Sequence, residues 1–120
     1  MREEAAMAAA VNYFEIGSPD PEAARSFYGS LFEWNFGEPD QGYQMINSGQ
    51  GGFWDTSSVG GGQWAIFYVQ VDDVQEAISR AEALGATVAL PFVDGGALQF
   101  AHLIDPQGNR FAVWRPKPSA

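Results

Sequence analysis

The chain has no cysteine. Disulfides, thiol nucleophiles and Cys-based zinc sites are therefore excluded. Histidine is nearly absent too: His102 is the only one, so a metal or acid–base site built on several imidazoles is not available. Positive charge is scarce, with six Lys and Arg against fifteen Asp and Glu and a net charge of −9. A binder of phosphate backbones needs a basic face, so no nucleic acid partner is expected. A cationic ligand suits such a field better, although an acidic surface also simply keeps a protein dispersed. No apolar run reaches the length of a membrane span, and none is expected. The opening MREEAAMAAAV lacks a long apolar core and carries acidic residues behind its one Arg, which makes it a poor signal peptide. A cytoplasmic location is the expectation.

Glycine and β-forming residues are plentiful. The 14 glycines imply many tight turns. Met1–Ala10 reads as a loose tail with at most a fragment of helix, and residues 117–120 as a second tail. Val11–Ile16 reads as a strand. Asp20 and Pro21 supply an N-cap and a first helical residue. Ala24, Phe27, Tyr28 and Leu31 then recur at helical spacing, ending near Phe32. Short β-type runs follow at Trp34–Phe36, Tyr43–Ile46 and Gly52–Trp54, and Gly60–Gly62 reads as a flexible hinge. The pattern then repeats. Trp64–Val71 is a strand, Asp72-Asp73 a cap, and Val74, Ala77, Ile78 and Ala81 a helical stripe closed by Gly85. Thr87–Val93, Leu98–Ile104 and Arg110–Trp114 read as strands, with turns at Asp94-Gly95-Gly96 and at Asp105–Asn109.

Each half thus reads strand, helix, then about three strands. The expected class is α+β: two βαβββ modules, 11–60 and 63–116, in one domain of 11–116, whose curved mixed sheets enclose a cleft. Such a cleft is a natural place for a small molecule.

Three stretches carry a family resemblance: Phe14-Glu15-Ile16 through Trp34, Val71-Asp72-Asp73-Val74 through Ala86, and Asp105-Pro106-Gln107-Gly108-Asn109-Arg110-Phe111. In this order and spacing they resemble the glyoxalase/bleomycin-resistance/dioxygenase family, the vicinal oxygen chelate superfamily. The resemblance implies the paired βαβββ fold. In the family's metal enzymes each module gives two ligands, mostly His and Glu, from its first and last strands. Here the matching positions hold Tyr13, Ile66 and Ala112, and the fourth falls near Gly52–Trp54. Ile and Ala offer no donor to a divalent ion, so no metal and no cofactor is expected.

The remaining candidates follow from strand parity. Glu15 shares a face with Tyr13, where a carboxylate must be paired or neutral, for example against Arg110 or Arg25. Tyr68 shares a face with Ile66 and Gln70, and Trp114 with Ala112. Tyr13, Trp54, Tyr68, Phe92 and Trp114 are strand aromatics that suit either a core or a flat binding wall. His102 reads as a hydrogen-bonded core histidine or as an acid–base or ligand contact. The expected ligand contacts are Tyr13, Glu15, Trp54, Ile66, Tyr68, His102, Ala112 and Trp114. The expected function is binding of a small organic molecule, an aromatic or cationic natural product or drug, as in the family's antibiotic-resistance branch. The alternative is a metal-independent lyase, isomerase or oxygenase-like enzyme of secondary metabolism, and a metal-dependent glyoxalase or dioxygenase fits least. A homodimer is expected, since exposed strand edges invite pairing.

Overall fold

The computed structural model describes residues 8–60 and 62–117. The helix fragment expected before Ala8, Gly61 of the hinge, and the end of the C-terminal tail lie outside the described residues. The elements are β1 (Val11–Ser18), α1 (Pro21–Phe32), β2 (Tyr43–Ile46), β3 (Gly51–Asp55), β4 (Trp64–Gln70), α2 (Val74–Ala83), β5 (Thr87–Asp94), β6 (Leu98–Ile104) and β7 (Arg110–Pro116). The class is α+β. No helix among the described residues is long and apolar enough to cross a membrane.

Contacts divide the chain into two compact units. One is Tyr13–Ile66; the other runs from Phe67 onward and includes the residues up to Asn12. In the first unit the strand order is β2-β3-β1, with β1 parallel and β2 antiparallel to β3. Asp20 caps α1 by accepting from the Ala23 N–H at 3.2 Å, and Glu33 ends the helix in the left-handed region at φ 58°. Ile16, Ile46 and Phe53 form the buried core, with Phe14, Ala24, Tyr28, Trp34 and Phe36 packed against it. Complete burial of side chains such as Ile46 and Phe53 contributes roughly 1.5–3 kcal/mol each.

The expected strand at Trp34–Phe36 does not form; only an isolated bridge joins Phe36 to Ile46. Trp34 instead stacks on Tyr28, ring centroids 5.5 Å apart, and its tilted partners are Phe14 and Phe32. Gly29 occupies the interior of α1, where glycine costs about 1 kcal/mol relative to alanine. A methyl there would lie 3.4 Å from the Phe36 ring, an ordinary contact.

In the second unit the order is β4-β7-β6-β5. Asp73, of the expected Asp72-Asp73 cap, caps α2 by accepting from the Glu76 N–H, and Gly85 follows the helix at φ 106°. Val74 packs on Ala101, Leu103 and Val113, joined by Phe92 and Phe111. Phe92 is therefore part of the helix-side core. Asp105 closes its turn by accepting from the Gln107 and Asn109 N–H groups, and the Asn109 bonds hold its carboxyl below the usual range. Lys117, at the start of the expected C-terminal tail, pairs its ammonium with Asp94 at 3.0 Å, and its N–H donates to the Ala97 carbonyl.

Candidate functional site

Alternation along β1 sends Phe14 and Ile16 toward α1, leaving Tyr13, Glu15 and Gly17 on the opposite face. The register Glu15↔Gly52 and Gly17↔Trp54 adds Gly52 and Trp54 to that face. The register Tyr43↔Trp54 and Met45↔Gly52 adds Tyr43 and Met45 from β2. Glu15 is 1% exposed. The Tyr43 hydroxyl donates to Glu15 Oε1 at 3.0 Å, and Trp64 Nε1–H donates to Oε2 at 2.9 Å. Tyr13 and Tyr43 oxygens lie 2.7 Å apart. Tyr43 has one hydrogen and gives it to Glu15, so Tyr13 is the donor in that pair; the Met45 sulfur at 3.8 Å is the weaker alternative. The result is a directed chain, Tyr13 to Tyr43 to Glu15.

Two glycines make this arrangement possible. A Cβ on Gly52 would overlap the hydroxyl oxygens of both Tyr43 and Tyr13. A Cβ on Gly17 would come within 2.5 Å of the Trp64 indole, which lies across it. Trp64 meets Trp54 edge-on at 5.6 Å, and Tyr43 meets Trp54 at 6.4 Å.

Burial pushes the Tyr13 phenol up to about 12; the Glu15 charge adds to the rise, and the Tyr43 bond opposes it. An ordinary tyrosine ionises near 10. Tyr13 should therefore ionise well above the ordinary tyrosine range, and an ultraviolet pH titration should show a late contribution that Tyr13→Phe removes. The unfolded chain loses this proton first, so Tyr13's contribution is complete below pH 10 and is lost as pH rises toward 12. Wild type and Tyr13→Phe should differ in the pH slope of stability across that window alone.

On the second unit, the registers Tyr68↔Ala112, His102↔Ala112, Gln70↔Trp114 and Phe100↔Trp114 place Tyr68, His102, Ala112 and Trp114 on the face opposite α2. His102 is completely buried. Arg110 Nε donates to its Nδ1 at 3.1 Å. Arginine can only donate, so the ring hydrogen sits on Nε2, which meets the Tyr68 oxygen at 3.0 Å. Tyr68 also meets the His102 ring edge-on at 5.8 Å. Trp114 Nε1–H donates to Asn12 Oδ1 at 3.0 Å, and Asn12 Nδ2 donates to Gln70 Oε1 at 2.8 Å.

The sequence-predicted residues therefore fall into two networks. Tyr13, Glu15 and Trp54 are joined through Tyr43 and Trp64 in the first unit; in the second, Tyr68 bonds to His102 with Ala112 in register beside both, while Trp114 bonds to Asn12. Ile66 is 7% exposed and Ala112 fully buried, both apolar. Arg25 is not a partner of Glu15: it donates to Gln44, on the α1 face of β2. Sequence reasoning missed Tyr43, Trp64 and Gly52, which hold Glu15 and Tyr13 in place. Parity along β2 pairs Tyr43 with Met45, but only the register of β2 on β3 brings them to Glu15.

The donor set does not fit a divalent ion of the kind the fold's metal enzymes hold. Ile66 and Ala112 lack a donor atom, and Tyr13 is a protonated phenol already donating to Tyr43. Among the described residues no three His, Asp or Glu side chains converge where they could hold a metal.

The mycobacterial protein CFP32 of Mycobacterium tuberculosis, provisionally named a glyoxylase, is 25% identical over 122 residues, covering 87% of this chain and 44% of its own length. The anthracycline biosynthesis protein DnrV of Streptomyces peucetius is 29% identical over 131 residues, covering 86% of this chain and 46% of its own length. The chain thus spans about half the length of the curated relatives it matches. A glyoxalase/bleomycin resistance protein/dioxygenase superfamily member from Vibrio splendidus shares the fold at a TM-score of 0.60 and 16% identity, covering 92% of this chain and 100% of its own. The Glyoxalase-like domain family model matches residues 13–114, and the chain belongs to that family.

Proposed function

We propose that the chain binds a small organic molecule without a metal ion, an aromatic or cationic natural product or drug, and sequesters it. The observation that carries this reading is the Glu15 face: a buried carboxylate that accepts from Tyr43 and Trp64, two phenols in one hydrogen-bonded chain, and two indoles meeting edge to face. Ring faces attract flat apolar bodies and cations, and a nearby carboxylate reinforces the second preference. The similarity to DnrV, a protein of anthracycline biosynthesis, supports a planar polycyclic guest.

An anthracycline, a flat aromatic bearing an amino sugar, is therefore the first probe. Fluorescence titration should give saturable binding that Trp54→Ala weakens ten- to hundredfold, the usual cost of losing a contacting aromatic. Trp114→Ala, made separately, tests the second unit's face. If neither variant alters binding, both candidate faces are wrong.

The directed chain from Tyr13 to Glu15 favours one second reading, metal-independent acid–base catalysis, because it could pass a proton from a bound molecule inward to the carboxylate. Recovery of the probe chemically unchanged after prolonged incubation favours sequestration; conversion favours the enzyme.

A further inference from the structure

The first unit has a concave feature on the α1 side of its sheet, away from the Glu15 face. It is an open groove of about 680 Å³ between α1 and the segment 34–39. Arg25, Ser26, Gly29 and Ser30 line it from the helix, and Trp34 and Phe36 line it from the segment. Positions 25, 26, 29 and 30 share one helical face by their spacing.

Two features show that this groove is organised. Arg25 is held from behind: its Nη1 donates to Gln44 Oε1 at 2.8 Å, and Gln44 Nε2 donates to the Gly37 carbonyl at 2.8 Å. Gln44 is only 9% exposed, so the residue that aims Arg25 is itself fixed. The guanidinium carries five N–H groups, and among the described residues Arg25 forms no ion pair with Glu22 or Glu38, although both line the groove. The second feature is Gly29. Its φ is not in the left-handed region and a methyl would meet only ordinary contacts, so neither backbone nor packing requires glycine at this unfavourable helix-interior position. A methyl there would touch the Phe36 ring and the Trp34 carbonyl, so it would narrow the gap between α1 and the segment one helical turn from Arg25.

We propose that this groove binds a small organic monocarboxylate with a flat apolar body. The carboxylate is received by the Arg25 N–H groups and the Ser26 and Ser30 hydroxyls, and the ring lies against Trp34 and Phe36. Glu22, Glu38 and the net charge of −9 oppose anions in proportion to their charge, so a monocarboxylate held by Arg25 is opposed less than phosphate and other polyanions. The site is independent of the Glu15 face.

The test is a titration of the full chain with benzoate, followed by amide and indole N–H chemical shifts, with inorganic phosphate in parallel. Benzoate should shift Ser26, Ser30 and the Trp34 indole saturably, and phosphate should not. Arg25→Gln should weaken benzoate at least tenfold. Gly29→Ala should weaken it severalfold while raising Tm by a few degrees, which separates blockage of the groove from damage to the fold. Absence of saturable shifts at these residues, equal affinity for phosphate, or undiminished benzoate affinity in Gly29→Ala would overturn the proposal.

Discussion

Gly52→Ala is expected to lower stability by about 3 kcal/mol, a large effect for one methyl group. Gly52 does not adopt a left-handed conformation, so the effect is not backbone strain. The new Cβ would occupy the space of the Tyr43 and Tyr13 hydroxyls. Relief requires the phenols to move, which breaks the 2.7 Å bond between them and the bond from Tyr43 to Glu15. Overpacking costs about 1–3 kcal/mol and the loss of a hydrogen bond to a charged group about 1.5–3 kcal/mol. The two are coupled and do not simply add. Urea unfolding measures the change. Tyr43→Phe removes one of the oxygens that the methyl would strike, so the double variant should lose less than the sum of the single losses. A loss below about 1 kcal/mol in Gly52→Ala would mean that the phenols are not seated on this glycine.

Glu15→Leu should be comparably severe, about 3 kcal/mol, for the opposite reason: it removes the acceptor rather than displacing donors. The Tyr43 hydroxyl and the Trp64 indole N–H both end on this carboxylate, which is 1% exposed. Leucine fills the volume but leaves both donors without it, and an unsatisfied buried donor costs about 1–3 kcal/mol. Glu15→Gln keeps one carbonyl oxygen and places an NH₂ against the second donor, so it should cost about half as much. Equilibrium unfolding of the two variants side by side gives the ordering Leu worse than Gln. Equal and small losses would show that the carboxylate is not the anchor of this network.

Much of this architecture is legible in local sequence, because it depends on short-range chemistry. Asp20-Pro21 and Asp73 mark helix starts through backbone capping, and Gly85 marks an end that needs positive φ. Alternation alone puts Tyr13 and Glu15 together, and likewise Ala112 and Trp114. The segment after α1 is harder to read. Trp34–Phe36 has strand-forming residues, yet Trp34 gains more by stacking on Tyr28, and Phe36 makes only one bridge. Tyr43 and Gly52 are distant in sequence from Glu15, and their meeting depends on the register of three strands, which no local pattern fixes. Trp64 reads only as the start of a β-rich run, and its indole N–H reaches a carboxylate 49 positions away. His102 was legible as a hydrogen-bonded histidine, but Arg110 as its Nδ1 partner rests on pairing between β6 and β7.

The central claim is that the Glu15 face takes an organic guest without a metal. Its most direct test is calorimetric titration of the protein with the anthracycline probe after exhaustive treatment with a chelator, repeated after adding back Mn²⁺ or Zn²⁺. Binding of equal affinity in all three preparations, weakened at least tenfold by Trp54→Ala, is the predicted result. Binding that vanishes in the chelated protein and returns with one equivalent of metal would contradict it.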